Sequence, residues 1–142
     1  SLLQNDPDRL ALPLKNYFKN VIVMDDEPTN LEILQKMLEK LGFTVMMVRN
    51  GEDLIKEYQK GLVMNEKFDL VITDLTIPGG LGGKEAVAQL KALDPNCMAI
   101  VISGFADDPV ISNYLEYGFQ GVLKKPFTFF DLQRVLDYLT EK

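Results

Sequence analysis

Carboxylates, a hydroxyl and an amine follow directly after four short apolar runs of the chain. Asp25 and Asp26 follow one run, Asp74 follows a second, Ser103 a third and Lys125 a fourth. Carboxylates that share a site raise each other's pKa unless a cation joins them, and ligand sets made of oxygen alone favour Mg²⁺, Mn²⁺ or Ca²⁺. With the hydroxyl and the amine, such a site could hold a phosphoryl group, toward which a carboxylate can act as a nucleophile. These residue types predict metal-assisted phosphoryl chemistry centred on Asp74.

Composition excludes several other kinds of chemistry. The 142 residues include no histidine, which removes Ser-His-Asp and Cys-His nucleophile systems and His-ligated zinc. The single cysteine, Cys97, lies in an apolar run and is interpreted as a small buried hydrophobe, which fits a reducing cytoplasm. A net charge of −6 argues against a nucleic-acid surface, and the longest nearly apolar run is too short to span a membrane. We expect a cytoplasmic domain with neither nucleic acid nor membrane as a partner.

The elements that must position these side chains alternate regularly from Asn20 onward. Short apolar runs typical of buried strands alternate with segments whose apolar residues recur at helical spacing. Asn50, Asp108 and Thr128 have residue types typical of helix N-caps, and Gly42 and Gly118 of helix ends. The predicted strands are 21–24, 43–48, 68–73, 97–102 and 121–124. The predicted helices are 28–41, 50–59, 84–93, 108–118 and a last helix from residue 128.

This alternation predicts an α/β fold. Right-handed crossovers give one five-stranded parallel sheet, doubly wound with helices on both faces, in the flavodoxin-like order 2-1-3-4-5. Ligands of such sheets bind beyond the carboxyl ends of the strands, where the acids, the hydroxyl and the lysine converge. Residues 1–19 lie outside the alternation and are interpreted as a linker or N-terminal extension, with the domain at 20–142. The start at Ser1 favours a piece of a longer protein.

Four segments of the chain resemble the receiver domains of two-component response regulators. They stand in family order and cover nearly the whole predicted domain. Their sequences are VIVMDDEP at 21–28, LVITDLTIP at 70–78, VISG at 101–104 and KPF at 125–127. The segments 74–86 and 116–119 look most like receivers attached to hybrid sensor histidine kinases.

The resemblance implies a metal-binding role for four residues. Asp74 would be the phosphoacceptor and a metal ligand, and Asp26 a direct ligand of Mg²⁺, with Mn²⁺ as an alternative. Asp25 would act mainly through metal-bound water. The backbone carbonyl of Thr76 would complete the ligands that the protein supplies.

The resemblance also implies residues that hold the phosphoryl group. Ser103 would donate a hydrogen bond to one phosphoryl oxygen, and Lys125 would pair with another. Lys125 is preferred to Lys124 because the family's lysine immediately precedes proline, and the bond to Pro126 is expected to be cis. The family often has an aromatic residue three positions before this lysine. Val122 stands there, so an aromatic switch is not expected.

The expected partner is a histidine kinase or a phosphotransfer domain. A chain without histidine cannot supply a phosphohistidine itself. The resemblance further implies that phosphorylation is relayed by a conformational change of the surface formed by the fourth helix, the fifth strand and the last helix. A homodimer through this surface is a further expectation. The domain would be a signalling module rather than an enzyme.

Two alternative functions are weighed against this one. A pseudo-receiver would keep the fold and take no phosphate, but the complete set of acids, hydroxyl and lysine argues against it. A phosphohydrolase of the haloacid-dehalogenase type would need a second acid two residues after its nucleophile, and Thr76 stands there instead. The glycine-rich segment after Asp74 matches neither the P-loop motif nor the GxGxxG motif. Pro78 and Glu85 stand where the P-loop requires a glycine and a Ser or Thr, and Glu85 also stands where GxGxxG requires its last glycine.

Overall fold

The computed structural model describes residues 19–75, 80–104 and 108–140. These residues form one five-stranded parallel sheet in the order β2-β1-β3-β4-β5, with helices on both faces. The predicted fold class and strand order are therefore confirmed. The strands are β1 (Asn20–Met24), β2 (Thr44–Val48), β3 (Leu70–Asp74), β4 (Ala99–Ser103) and β5 (Gly121–Lys124). The helices are α1 (Pro28–Lys40), α2 (Gly51–Val63), α3 (Gly83–Leu93), α4 (Pro109–Ser112) and α5 (Phe129–Thr140).

The sheet separates two apolar cores, as expected for strands buried on both faces. Within β1, Ile22 and Met24 face the core that α2, α3 and α4 cover, whereas Val21 and Val23 face the core under α1 and α5. All four side chains are fully buried. Cys97 is also buried and carries a free thiol, as the sequence indicated. Within the described ranges, no helix has the length and hydropathy that crossing a bilayer requires.

Helix ends form at the predicted capping residues. The Asn50 side chain accepts a hydrogen bond from the Asp53 amide at 2.8 Å, which caps α2. Thr128 and Asp131 form a reciprocal capping box at the start of α5, with distances of 2.8 and 3.1 Å. Gly42 follows α1 with a φ of 99°, a left-handed conformation that glycine adopts without strain.

The fourth helix is shorter than predicted. Asp108 caps α4 by accepting from the Val110 amide, and Pro109 occupies its first turn as expected, but the helix ends at Ser112. Residues 113–118 form successive turns with i→i+3 hydrogen bonds instead. Two β-branched residues followed by Ser112 and Asn113 form a segment of low helix propensity, which explains the early end.

Two further predictions about the helices were wrong. The second helix continues four residues beyond the predicted end at 59. Gly61 lies within it, where a Cβ would lie only 2.8 Å from the Glu66 carbonyl oxygen. Ile33 was expected on the buried stripe of α1 but is 49% exposed, because it lies about 100° around the helix from Leu34. The predicted extension at 1–19 lies outside the described residues apart from Lys19.

Candidate functional site

Three carboxylates meet at the carboxyl ends of β1 and β3. Asp25 and Asp26 follow β1, and Asp74 is the last residue of β3, the strand next to β1. One carboxylate oxygen from each residue lies within 4.8 Å of the others. This spacing and this ligand type suit a hard divalent cation such as Mg²⁺, because a cation offsets the mutual repulsion of the three charges.

Asp25 is the most buried of the three acids, and only 4% of it is exposed. Burial raises the pKa of its carboxyl group, and the negative charge of Asp74 raises that pKa further. The backbone amide of Glu27 donates to Asp25 Oδ1 at 2.9 Å and the charge of Lys125 is nearby, and both effects favour the ionised form. The net pKa is raised, as expected of a buried acid beside another acid.

Lys125 extends from the end of β5 into the acidic cluster. Its Nζ lies 3.1 Å from Asp74 Oδ2, in a pair that is partly open to solvent. Its backbone amide donates to the Ser103 carbonyl at 2.9 Å, which holds the lysine against the end of β4. The bond to Pro126 is cis, as expected. Val122 is partly buried and packs against the core, where the family often has an aromatic residue.

Ser103 ends β4 at the same edge of the sheet. The residue is buried, with 3% exposed, and it pairs in register with Lys124 of β5. Because Asp74 pairs with Ile102, the hydroxyl-bearing residue lies one position beyond the phosphoacceptor candidate on the neighbouring strand. Ser103 thus lies between the strands that carry Asp74 and Lys125.

A close backbone approach fixes the end of β3. A Cβ at Gly83, the first residue of α3, would lie 2.5 Å from the Asp74 carbonyl oxygen. Only glycine therefore allows α3 to begin against this strand end. The same carbonyl accepts a hydrogen bond from the Thr73 hydroxyl at 2.9 Å. At least one glycine of the segment after Asp74 thus serves close packing at the site.

The predicted site residues are largely brought together. Asp25, Asp26, Asp74 and Lys125 form one cluster, and Ser103 ends the adjacent strand. The expected carbonyl ligand of Thr76 lies outside the described residues.

Sequence reasoning missed Arg49, whose Nη2 donates to the Asp26 carbonyl at 2.8 Å. Arg49 comes directly after β2, and a single arginine in this place belongs to no motif from which the contact could have been predicted.

An apolar groove of about 560 Å³ adjoins the cluster. Asp25 and Lys125 contribute charged groups to its lining. Its apolar lining comes from α1 and from the segment after the cis peptide bond, and it includes Ile33, Met37, Pro126 and Phe127. The exposure of Ile33 on α1 therefore contributes to a concave surface beside the acids.

Comparison with known proteins agrees with this arrangement. The sequence model of the response regulator receiver domain matches residues 21–137. The chain is 29% identical over 117 residues to the transcription factor SKN7 of Saccharomyces cerevisiae, and 28% identical over 106 residues to a cyclic di-GMP phosphodiesterase of Thermotoga maritima. It superimposes with a TM-score of 0.72 and 26% identity on the response regulator TrrA of Thermotoga maritima, solved in complex with Mg²⁺-BeF, covering 85% of this chain and 98% of that one.

The chain corresponds to only a small part of the curated relatives that it matches. The match to SKN7 covers 82% of this chain but 18% of the transcription factor, and the match to the phosphodiesterase covers 75% of this chain and 27% of that enzyme. The shared unit is thus a small α/β signalling domain within longer proteins. The chain belongs to the response regulator receiver domain family and is a domain of two-component signalling.

Proposed function

We propose that Asp74 accepts a phosphoryl group from a phosphohistidine of a histidine kinase or a phosphotransfer domain. The observation that carries the proposal is that three carboxylates lie within 4.8 Å of one another while the Lys125 amine lies 3.1 Å from Asp74. Asp26 would bind Mg²⁺ directly, Asp25 would act through metal-bound water, and the Thr76 carbonyl would complete the protein ligands. Mn²⁺ is an alternative ion because it prefers the same oxygen ligands.

The transfer follows from the chemistry of these groups. A carboxylate oxygen of Asp74 attacks phosphorus, and the bond from phosphorus to the donor's imidazole nitrogen breaks. The imidazole leaves with the electron pair of that bond and takes a proton. When bound, Mg²⁺ neutralises charge on the phosphoryl oxygens. Lys125 exchanges its contact with Asp74 for a phosphoryl oxygen, and the Ser103 hydroxyl donates to another oxygen.

The phosphodonor has to come from another domain, because this chain contains no histidine. The apolar groove gives that donor a surface to contact beside Asp74 and Lys125. Binding there would bring the phosphohistidine into line with the carboxylate, which is the main protein contribution to phosphoryl transfer. We place this event in the cytoplasm.

The proposed output is a population shift of the surface formed by α4, β5 and α5. Three large apolar side chains are exposed in α5 and in the turns after α4, which supports a role in contact with a partner or a second copy. They are Leu115 (67% exposed), Phe130 (70%) and Tyr138 (65%).

Incubation with acetyl phosphate or beryllofluoride plus Mg²⁺ tests the proposal. We expect one adduct per chain by mass spectrometry, lost when EDTA removes the metal and lost in Asp74→Asn. A matched control is Asp69→Asn, since Asp69 lies just before β3, at its opposite end, and is expected to leave the adduct intact. Absence of any adduct would support the pseudo-receiver. Turnover of many phosphate esters would support a phosphohydrolase.

A further inference from the structure

Arg49 connects the end of β2 with the loop that carries the two acids after β1. Its guanidinium Nη2 donates to the backbone carbonyl of Asp26 at 2.8 Å. The residue is exposed, and the proposed transfer chemistry makes no use of it. Holding an exposed arginine in one geometry costs side-chain conformational entropy. We therefore interpret this contact as support for the backbone of the loop.

Several hydrogen bonds hold the short loop between β1 and α1, including one between the Asn30 side chain and the Asp25 carboxylate. The Asp25 amide donates to the Val48 carbonyl at 3.2 Å, which continues the pairing of β1 with β2. The Glu27 amide donates to the Asp25 carboxylate at 2.9 Å. Arg49 donates to the Asp26 carbonyl, which belongs to the same peptide unit as the Glu27 amide, so this unit is held from both sides. Loss of the Arg49 bond would release the carbonyl side of this peptide unit and allow the loop that carries Asp26 to shift relative to Asp25 and Asp74.

The charge of Arg49 works against a cation in the same place. A guanidinium beside a divalent ion repels it, so a purely electrostatic role would weaken metal binding. Any benefit of Arg49 to the acidic cluster must therefore come from the position in which it holds Asp26. If Arg49 acts only through its charge, removing its side chain lowers the Kd for the cation. If Arg49 acts by holding Asp26 in place, removing its side chain raises that Kd.

We infer that Arg49 is a positioning residue that holds the Asp26 backbone so that the cluster is ready to bind a divalent cation. This inference rests on the proposed function, because it assigns the cluster to a cation. Groups that orient metal ligands typically change metal affinity by about 10–100-fold when removed. An exposed contact that acts through the backbone is expected to give an effect at or below the lower end of this scale.

A Mg²⁺ titration of the whole chain, monitored by the amide NMR signals of residues 25–27, tests the inference. Arg49→Ala is expected to raise the Kd for Mg²⁺ about threefold to tenfold. It is also expected to speed hydrogen exchange of the Glu27 amide before any metal is added. Saturating Mg²⁺ is expected to restore the maximal rate of labelling by acetyl phosphate. The control is Lys124→Ala, which removes an exposed charge at the same edge of the sheet and leaves this loop untouched.

The outcomes separate the inference from the function on which it rests. An Arg49→Ala Kd that is unchanged or lower than that of the parent chain would overturn the positioning role alone. The same holds if Lys124→Ala raises the Kd as much as Arg49→Ala does. A parent chain that binds no Mg²⁺ would overturn the proposed metal site, and the positioning role with it.

Discussion

Lys125 Nζ lies 3.1 Å from Asp74 Oδ2, although 51 residues separate the two in the chain. The pair joins the ends of β3 and β5, strands that are not neighbours, because β4 lies between them. A contact across a strand is possible here because both side chains extend beyond the carboxyl edge of the sheet. The amine thus stands where a phosphoryl group on Asp74 would need a positive charge.

Replacing Lys125 is expected to impair phosphorylation far more than folding. Lys125→Ala removes a donor that would bind a phosphoryl oxygen, and loss of one such donor typically slows a reaction about a hundredfold. The free energy of unfolding should fall by about 1 kcal/mol or less, because the pair is partly solvated. Rates of labelling by acetyl phosphate and urea unfolding provide the two measurements. Equal rates in Lys125→Ala and the control Lys124→Ala would contradict this role.

A methyl group at Gly83 is expected to disturb the end of β3. Its Cβ would lie 2.5 Å from the Asp74 carbonyl oxygen, so α3 or the strand end must move, at a cost of about 1–3 kcal/mol. Labelling of Asp74 should fall as well. Gly104→Ala is the matched control, since a Cβ there meets no atom within 4 Å. Thermal unfolding distinguishes the variants, and equal Tm values for both would show that the approach at Gly83 is tolerated.

Asp94 lies at the opposite end of the sheet from the acidic cluster. It is expected to make the free energy of unfolding depend on pH. It accepts from the Tyr58 hydroxyl at 2.7 Å and pairs with Lys67 at 3.1 Å. Burial opposes ionisation of Asp94, but hydrogen bonds from Tyr58, Lys67 and the Asn96 amide outweigh it and lower its pKa. A lowered pKa contributes stability that is present above the unfolded value of about 3.9 and is lost as the pH falls through the folded value.

Urea unfolding of the parent chain and Asp94→Asn across the acid range measures this contribution. The free energy of unfolding should fall more steeply with decreasing pH below about 4 in the parent chain than in Asp94→Asn. Tyr58→Phe should reduce that difference, because it removes the hydrogen bond that the hydroxyl donates. Parallel pH profiles for parent and Asp94→Asn would rule out this source of acid sensitivity.

The capping box of α5 is expected to contribute measurable stability. Thr128→Ala removes the acceptor of the Asp131 amide at 3.1 Å, and loss of such a cap typically costs about 1 kcal/mol. Thr140→Ala is the comparison in the same helix, because the Thr140 hydroxyl donates to a carbonyl of the last turn. Thr140→Ala should lower the free energy of unfolding by less than about 0.5 kcal/mol. Equal costs in chemical denaturation would argue that the box does not hold the start of α5.

The strands were predictable because each depends on a local pattern, and their order followed from the rule that parallel crossovers are right-handed. Val21–Met24 form a continuous apolar run, and a parallel sheet is the arrangement that buries such a run on both faces. The convergence of Asp26, Asp74 and Lys125 was predictable from the same topology, since every parallel strand ends at one edge. These features needed no knowledge of tertiary contacts.

Features that depend on tertiary contacts were not predictable. Gly61 continues α2 because the Glu66 backbone packs against it, although a glycine within a helix usually signals its end. The early end of α4 reflects weak local propensity without a strong stop signal before Gly118. Arg49 escaped notice because a single arginine after a strand has no motif, and its contact with Asp26 becomes visible only when the β2 and β1 ends are side by side.

The order in which the site residues occur along the chain has a consequence for synthesis. The three aspartates precede the lysine that offsets their charge, and that lysine follows β5, the last strand along the described part of the chain. A nascent chain therefore exposes its acids before the balancing amine has been translated. The charge-balanced cluster can therefore form only once β5 has taken its place as the edge strand of the sheet.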